Sequence, residues 1–510
     1  MEIPNEKAVA VDTTESALDE ALEAKEGYVL DVALYENSGL KTAADGRTVL
    51  IPQPTDDADD PLNWPQSKKL SILFVITFIA FLPDFNSATG VPALIPQSLQ
   101  WQLSPNTIQY NLVGQCAALG TCAILTAILS NYFGRLPVLL AFQVLAVATG
   151  VWCAVASSFH SYLAARILTG FGIVAQAGGM MFIKDMFFFH EHPRMINIWS
   201  GGVIVSPYLG PLVESFITWK TSWRWGFWVH TILSVIALVL LILVCDETWY
   251  SRSKQTGSRG PRQGRVHRLL GIAQWSAMRE SGASFMRALS RPVIAISKLP
   301  VLLCVIYYFI NFAWVIGVNA TTSVWLSTLY GFNGKSLGLF YLAGIIGTVV
   351  GEVAGHWLHD GIATYFSQRH SGRIEAEVRL HAAYLASAIM IVAVVVLGFA
   401  LQNVWHYMVV AVCYGTQVVG IMIATTAVNA YLLDSYPEGS GEVGAWIVFA
   451  RTFGGFMATL IEIPWVTRTG AARVFGVQAG TIAAAILILV FLQIFGKRIR
   501  KAQGAMVFLS

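Results

Sequence analysis

Twelve apolar stretches, six before and six after one long basic segment, constrain this 510-residue chain more than any other feature. About 20 apolar residues in a helix cross the ~30 Å hydrocarbon core of a bilayer. Inside lipid every backbone polar group must be satisfied internally, which leaves helices or closed barrels. A barrel reads as short alternating strands. Here the runs are continuous, as in Leu70–Leu82 and Ile482–Ile494, so helices are expected. Charged residues make up 12% of the chain, against roughly 25% in soluble proteins. The expected fold is an all-α membrane protein of twelve transmembrane helices in two six-helix bundles.

The crossings are placed at residues 71–93, 108–130, 137–157, 161–183, 196–217, 226–245, 299–321, 336–358, 380–401, 404–428, 443–466 and 474–496. The expected organisation is a disordered acidic tail (1–68), a first bundle (69–245), a basic loop (246–298), a second bundle (299–496) and a short tail (497–510). Residues 1–60 hold 15 acidic and 4 basic side chains and no apolar core, so they are no cleavable signal. With the N-terminus inside, Lys68–Lys69, the loops on that side and the C-terminal tail carry 22 Lys and Arg. The other side carries five: Lys220, Arg224, Lys335, Arg468 and Arg473. Basic residues stay cytosolic, so both termini are expected in the cytosol. The basic loop is expected to be a solvated linker touching lipid at most. Nucleic acid is not an expected partner.

The six cysteines fall inside apolar spans without paired or metal-ligand spacing, and read as small hydrophobes. No phosphate-cradling loop supports ATP drive. No catalytic nucleophile is recognisable, and no cofactor is expected. His356, His359 and Asp360 are close in sequence, but the pattern is too sparse to expect a metal there.

Charges inside a membrane are costly and mark functional sites. Asp84 lies about 22 Å into the first span and Arg166 about 8 Å into the fourth, which enters from the other side. The two reach similar depth, so a pair or a shared polar site is expected, with Asp84 titrating and Arg166 modulating it. Asn86, Gln176, Asn311, Gln417, Tyr308, Trp314 and Tyr414 are candidate cavity residues, since amides beside aromatic rings suit an amphipathic ligand. Asn429 is a further amide in the tenth span. Arg451 and Glu352 are a possible ion pair across the eleventh and eighth spans. Asn319-Ala-Thr321 matches the glycosylation sequon and is placed at a span end. Pro207, Gly210 and Pro211 in the fifth span should bend that helix and let it pack closely.

A weak internal repeat links Asn131-Tyr-Phe-Gly134-Arg135 after the second span to Gly351–Asp360 at the eighth. Parallel halves related by an axis along the membrane normal are a transporter pattern. With Asp60-Pro61-Leu-Asn63-Trp64-Pro65, Arg166-Ile-Leu-Thr-Gly170-Phe-Gly172, Trp223-Arg224-Trp225 and Asp246-Glu247-Thr248, these motifs make the chain resemble the major facilitator superfamily over about residues 59–500. The likeness is to its fungal drug:proton antiporter branch, in a subgroup similar to yeast polyamine and cation carriers.

The resemblance implies alternating access driven by protons, a role for Arg166 in proton coupling, and a gate at Asn131, Gly134, Arg135 and Asp360. It implies that the Pro207, Gly210 and Pro211 stretch is an antiporter signature. The chain departs from the pattern at Asn131, where an acid is usual, and at Leu136, Ser206 and Glu214. Three functions stay open: proton-coupled efflux of a small organic compound such as a fungal metabolite or toxin, import of polyamines or other organic cations, and a non-transporting receptor or unrecognised enzyme. The expected partners are protons, a small-molecule substrate and membrane lipid. The expected setting is the plasma membrane, as a monomer, with coupling chemistry in the first six spans.

Overall fold

The computed structural model describes residues 52–57, 60–188, 191–250, 269–272, 284–369, 376–436 and 439–504, with a few isolated positions besides. Most of the acidic tail and most of the basic loop lie outside the described residues. Everything described is helix or short connection. Eleven helices are long and apolar enough to cross a membrane among the described residues, and a twelfth crossing is made in two pieces. The protein is therefore a multi-pass membrane protein.

The chain enters through a short 3-10 turn, Pro61–Asn63. Asp60 caps it: its Oδ1 accepts from the Leu62 amide at 3.1 Å. The first crossing is α1 (Gln66–Thr89), followed by a short α2 (Leu94–Trp101). The second is α3 (Pro105–Phe133), begun by Ser104 as N-cap with proline in its first turn, where a missing N–H costs nothing. The third is α4 (Arg135–Val155). The fourth is split into α5 (Phe159–Thr169), a 3-10 turn at Gly170–Ile173, and α6 (Val174–Met186). Its expected single span thus carries a break, at Gly170 and Gly172. A Cβ at Gly170 would meet the Gln115 carbonyl of α3 at 2.9 Å, so glycine there permits close packing.

The fifth and sixth crossings are α7 (His192–Lys220) and α8 (Arg224–Val244). On α8 the exposed Ile232, Val235, Ile236, Val239 and Leu243 repeat at helical spacing, which is the stripe a lipid-facing helix presents. The segment read as a plain linker ends in a helix, α9 (Phe285–Ser297). The second half comprises α10 (Leu299–Tyr330), α11 (Gly334–Arg369), α12 (His381–Gln402), α13 (Tyr407–Ser435), α14 (Ser440–Thr469) and α15 (Ala471–Gln503). The last helix continues past the expected boundary at 496.

The two halves meet through matched helix pairs. Second-crossing α3 packs on eleventh-crossing α14, and fifth-crossing α7 on eighth-crossing α11. These pairs exchange places under a two-fold relation of the halves. Glycine sets the approach: Gly120 abuts Thr452, Gly334 abuts Ser215 and Trp219, and Gly344 abuts Tyr208. At the face away from the termini, the apolar core runs continuously from Val91, Leu94 and Tyr162 into Tyr341, Tyr414 and Phe475. Toward the terminal face the first bundle keeps a separate core, from Ile72 to Cys245, on which Leu433 of α13 rests.

Proline explains the contact between α7 and α10. Pro207 has no N–H for the Val203 carbonyl, which accepts instead from the Ser206 hydroxyl at 2.6 Å. Pro211 likewise leaves the Pro207 carbonyl free, and Asn319 Nδ2 donates to it at 3.4 Å. Ser206, a departure from the family pattern, thus fills a bond that Pro207 opens.

Candidate functional site

A cavity lies between the bundles. Its wall is largely apolar and aromatic, with Val203, Tyr208, Tyr308, Phe312, Val315 and Met422, and one ionic group, Asp84 with Arg451. Arg451 Nη1 donates to Asp84 Oδ2 at 2.7 Å. Gln176 ties the pair together: its Oε1 accepts from Arg451 Nη2 at 2.6 Å, and its Nε2 donates to Asp84 Oδ2 at 3.0 Å and to the Ala80 carbonyl at 2.7 Å. Asp84 and Gln176 belong to the first half and Arg451 to the second. The ion pair therefore spans the boundary between bundles.

This corrects the expected pairing of Asp84 with Arg166. Depth was read correctly but rotation was not. Arg166 reaches α1 just beyond Asp84, where Nη1 donates to the Asn86 carbonyl at 2.8 Å and Nη2 to the Ser87 carbonyl at 2.9 Å. Its Nε donates to Asn111 Oδ1 at 3.2 Å. At 100° per residue, Asp84 and Asn86 point to nearly opposite sides of α1. Asp84 faces the cavity, while Asn86 faces Arg166 inside the bundle. Arg451 also pairs with Asp84, not with Glu352, which stays half-buried on α11. Nor does the ionic chemistry sit in the first six crossings alone, since the cation of the cavity comes from the eleventh.

The other candidates divide by the same geometry. Gln176 and Tyr308 stand on the cavity wall, and Tyr308 donates to Thr425 Oγ1 at 3.1 Å. Asn429 also lines the wall. Asn86, Asn311, Trp314, Tyr414 and Gln417 do not. Asn311 bonds the Tyr307 carbonyl at 2.8 Å within its own helix, and Trp314 Nε1 donates to Thr481 Oγ1 at 2.8 Å. Tyr414 donates to Asn319 Oδ1 at 2.7 Å. Asn319 is no span-end sequon: it is buried within α10, lines the cavity, and has both amide atoms engaged. Trp199 and Tyr208 line the cavity and were not among the sequence candidates. Two aromatics on a proline-bent helix beside small residues were the available signal.

The gate residues resolve into two devices. Gly134 turns with φ +94°, and a Cβ there would meet Glu247 Oε2 at 3.0 Å. Glu247 accepts from the Arg135 amide at 3.3 Å and the Leu136 amide at 2.9 Å, capping α4. The Arg135 guanidinium pairs with Asp185, and Lys68 with Asp246 at 2.6 Å. These contacts stay within the first half. Between halves, Asn131 Nδ2 donates to Glu442 Oε1 at 3.0 Å, which also accepts from Arg291 Nε of α9 at 2.5 Å. The acid absent at position 131 is thus supplied from α14, a contact no local motif could reveal. The Asp360 side chain lies outside the described side chains.

Helices in two linked halves, enclosing one central cavity with its charges across the boundary, define a membrane transporter rather than an enzyme. The Major Facilitator Superfamily model matches residues 73–459, and the chain belongs to that superfamily. It is 25% identical over 457 residues to Efflux pump radE of Floropilus chiversii, covering 87% of this chain and 83% of that one. It is 25% identical over 418 residues to MFS transporter cpaT of Aspergillus oryzae, covering 79% and 82%. The fold matches the xylose transporter XylE from E. coli in a partially occluded inward-open conformation. There the TM-score is 0.58 at 18% identity, over 84% of this chain and 99% of that one.

Proposed function

We propose that the chain exports a small, largely apolar organic compound across the plasma membrane in exchange for protons, with both termini in the cytosol. The observation that carries this reading is the Asp84–Arg451 pair in an otherwise apolar and aromatic cavity. A proton on Asp84 removes the charge that holds Arg451 and loosens one link between the bundles. Loss of that proton restores the link. Substrate and proton then act on the same boundary, which is what exchange requires. A relative named as an efflux pump supports the direction.

A second reading, import of an organic cation, draws on Asp84 as counter-charge among Trp199, Tyr208, Tyr308 and Phe312, since rings and an acid together hold cations. Arg451 already occupies that acid, so a cation must displace it.

The test uses cells producing the full chain, loaded with the neutral dye Nile red, and in parallel radiolabelled spermidine outside. Export predicts chain-dependent loss of dye that stops when a protonophore collapses the gradient, and that the D84N variant makes insensitive to the gradient. Dye loss indifferent to the gradient sinks proton coupling. Chain-dependent spermidine accumulation with no dye loss replaces export with the second reading.

A further inference from the structure

Two carboxylates lie inside the helices away from the cavity. Glu214 stands on α7, about two turns before the helix ends. It is 0% exposed, and neither carboxylate oxygen has a hydrogen-bond partner. Glu462 stands on α14, also about two turns before its end, equally buried. Gln478 Nε2 reaches its Oε1 at 3.4 Å and its Oε2 has no partner. The fifth and eleventh crossings correspond between the halves, so the two acids are close to repeat mates at one depth. Each rests on a glycine of a neighbouring helix, Gly226 and Gly317, where a Cβ would collide with the carboxylate.

Charge separates the two. Glu214 lies against Gly226, and the ring of the next residue, Phe227, sits 5.2 Å from the Arg166 guanidinium carbon, whereas the group at Glu462 is the neutral amide of Gln478. The other titratable groups on that side are Tyr162 of α5, His230 of α8 and Cys153 of α4. His230 Nε2 is engaged with Ser234 and the Cys153 thiol with Thr169. Lys335 of α11, near the end of α7, sits over the Trp219 ring at 5.6 Å. Arg166 meanwhile places its donors on Asn111, Asn86 and Ser87. An ionised carboxylate without a donor in so dry a place is strongly disfavoured, so Glu214 holds a proton while Arg166 is so engaged.

We propose that Glu214 is a protonation site of the transport cycle, distinct from the Asp84–Arg451 pair, with Arg166 as the partner that decides whether the carboxyl keeps its proton. When Arg166 turns from the α1 carbonyls toward Glu214, the carboxylic acid becomes a carboxylate paired with guanidinium, and its proton passes to water. The inference deepens the proton-coupled reading above and rests on it for its place in the cycle.

Infrared difference spectra of the reconstituted full chain, taken from acid to alkaline pH, read the carboxyl C=O band directly and need no substrate. Wild type is expected to show a protonated-carboxyl band that disappears as pH rises. E214Q is expected to lose that titrating band, and E462Q and D84N to keep it. E214D, which retains a carboxyl, is expected to restore a shifted band and guards against misfolding of E214Q. Glu462, equally buried, carries a carboxyl band of its own that E214Q keeps and E462Q removes. An E214Q spectrum that keeps the whole wild-type titrating amplitude overturns the proposal, as does a wild-type band that never titrates. Failure of proton-driven transport would show in the dye flux and leave this spectrum unchanged, so the two failures are distinguishable.

Discussion

Asn319 and Pro207 meet across the boundary between the bundles, the amide of one donating to the carbonyl that the following proline leaves open in the other, at 3.4 Å. The same amide accepts from Tyr414 at 2.7 Å. A proline pair usually read as a bend is thereby also a docking point for the opposite half. Asn319→Ala removes the donor to one buried group and the acceptor of another. The expected cost is about 1–3 kcal/mol, seen as a lowered unfolding midpoint in detergent. Endoglycosidase treatment of wild type should leave gel mobility unchanged, and a mobility shift lost in Asn319→Ala would contradict the buried placement.

Removing one member of the Asp84–Arg451 pair leaves a charge in the cavity wall. Breaking a buried ion pair this way costs ~3–5 kcal/mol, whereas replacing both members is often near neutral. D84N and R451Q singly should each lower stability by a large part of that range, less for any water that reaches the cavity. The D84N/R451Q double variant should recover most of the loss. Additive losses in thermal unfolding would show that the two residues do not act on each other.

Glu442 joins Asn131 to Arg291 at the terminal face. Glu442→Gln keeps a hydrogen-bonding oxygen but removes the charge that Arg291 meets. Charge-assisted bonds contribute about 1.5–3 kcal/mol, and ~1.4 kcal/mol is tenfold in an equilibrium. A cysteine placed at Gly444, on the cavity wall near this clasp, should react with a membrane-impermeant thiol reagent at least about tenfold faster in the E442Q background. An unchanged rate would mean that the clasp does not control access.

Gly210 lies against the backbone of Phe85, and a Cβ there would collide with its carbonyl oxygen. Backbone cannot step aside as a flexible side chain can. Gly210→Ala should therefore cost roughly 1–3 kcal/mol by overpacking. Gly178→Ala, with nothing within 4 Å of its Cβ, should not. Equal unfolding midpoints for the two variants would remove the packing account of the Gly210 position.

Much of the architecture is legible along the chain because hydropathy and helix length are local properties. The crossings, the two halves and the buried charges follow from them. The fourth crossing is harder to read: the glycines at 170 and 172 signal its break, but only packing on α3 shows that the break is used. The site is less legible because it depends on rotation and on partners far apart in sequence. Asp84 and Arg166 share a depth, yet α1 turns them to different sides. Arg451 and Glu442 come from the half that was expected mainly to complete the cavity. Glu214 reads as a departure from a motif, and only its missing hydrogen bonds distinguish it from a solvated acid.

The continuous apolar core on one face and the polar clasp on the other give the boundary two unlike seams. Apolar contact is indifferent to dissolved ions, whereas charged contact near water is screened within about a nanometre at physiological ionic strength. Glu442 is almost wholly buried and Arg291 a third exposed, so dissolved ions reach the Asn131–Glu442–Arg291 side only at its rim and the Val91–Phe475 side not at all. One boundary thus has an oiled edge and a charged one, and the charged edge is the one that a single substitution at Glu442 can reverse in sign.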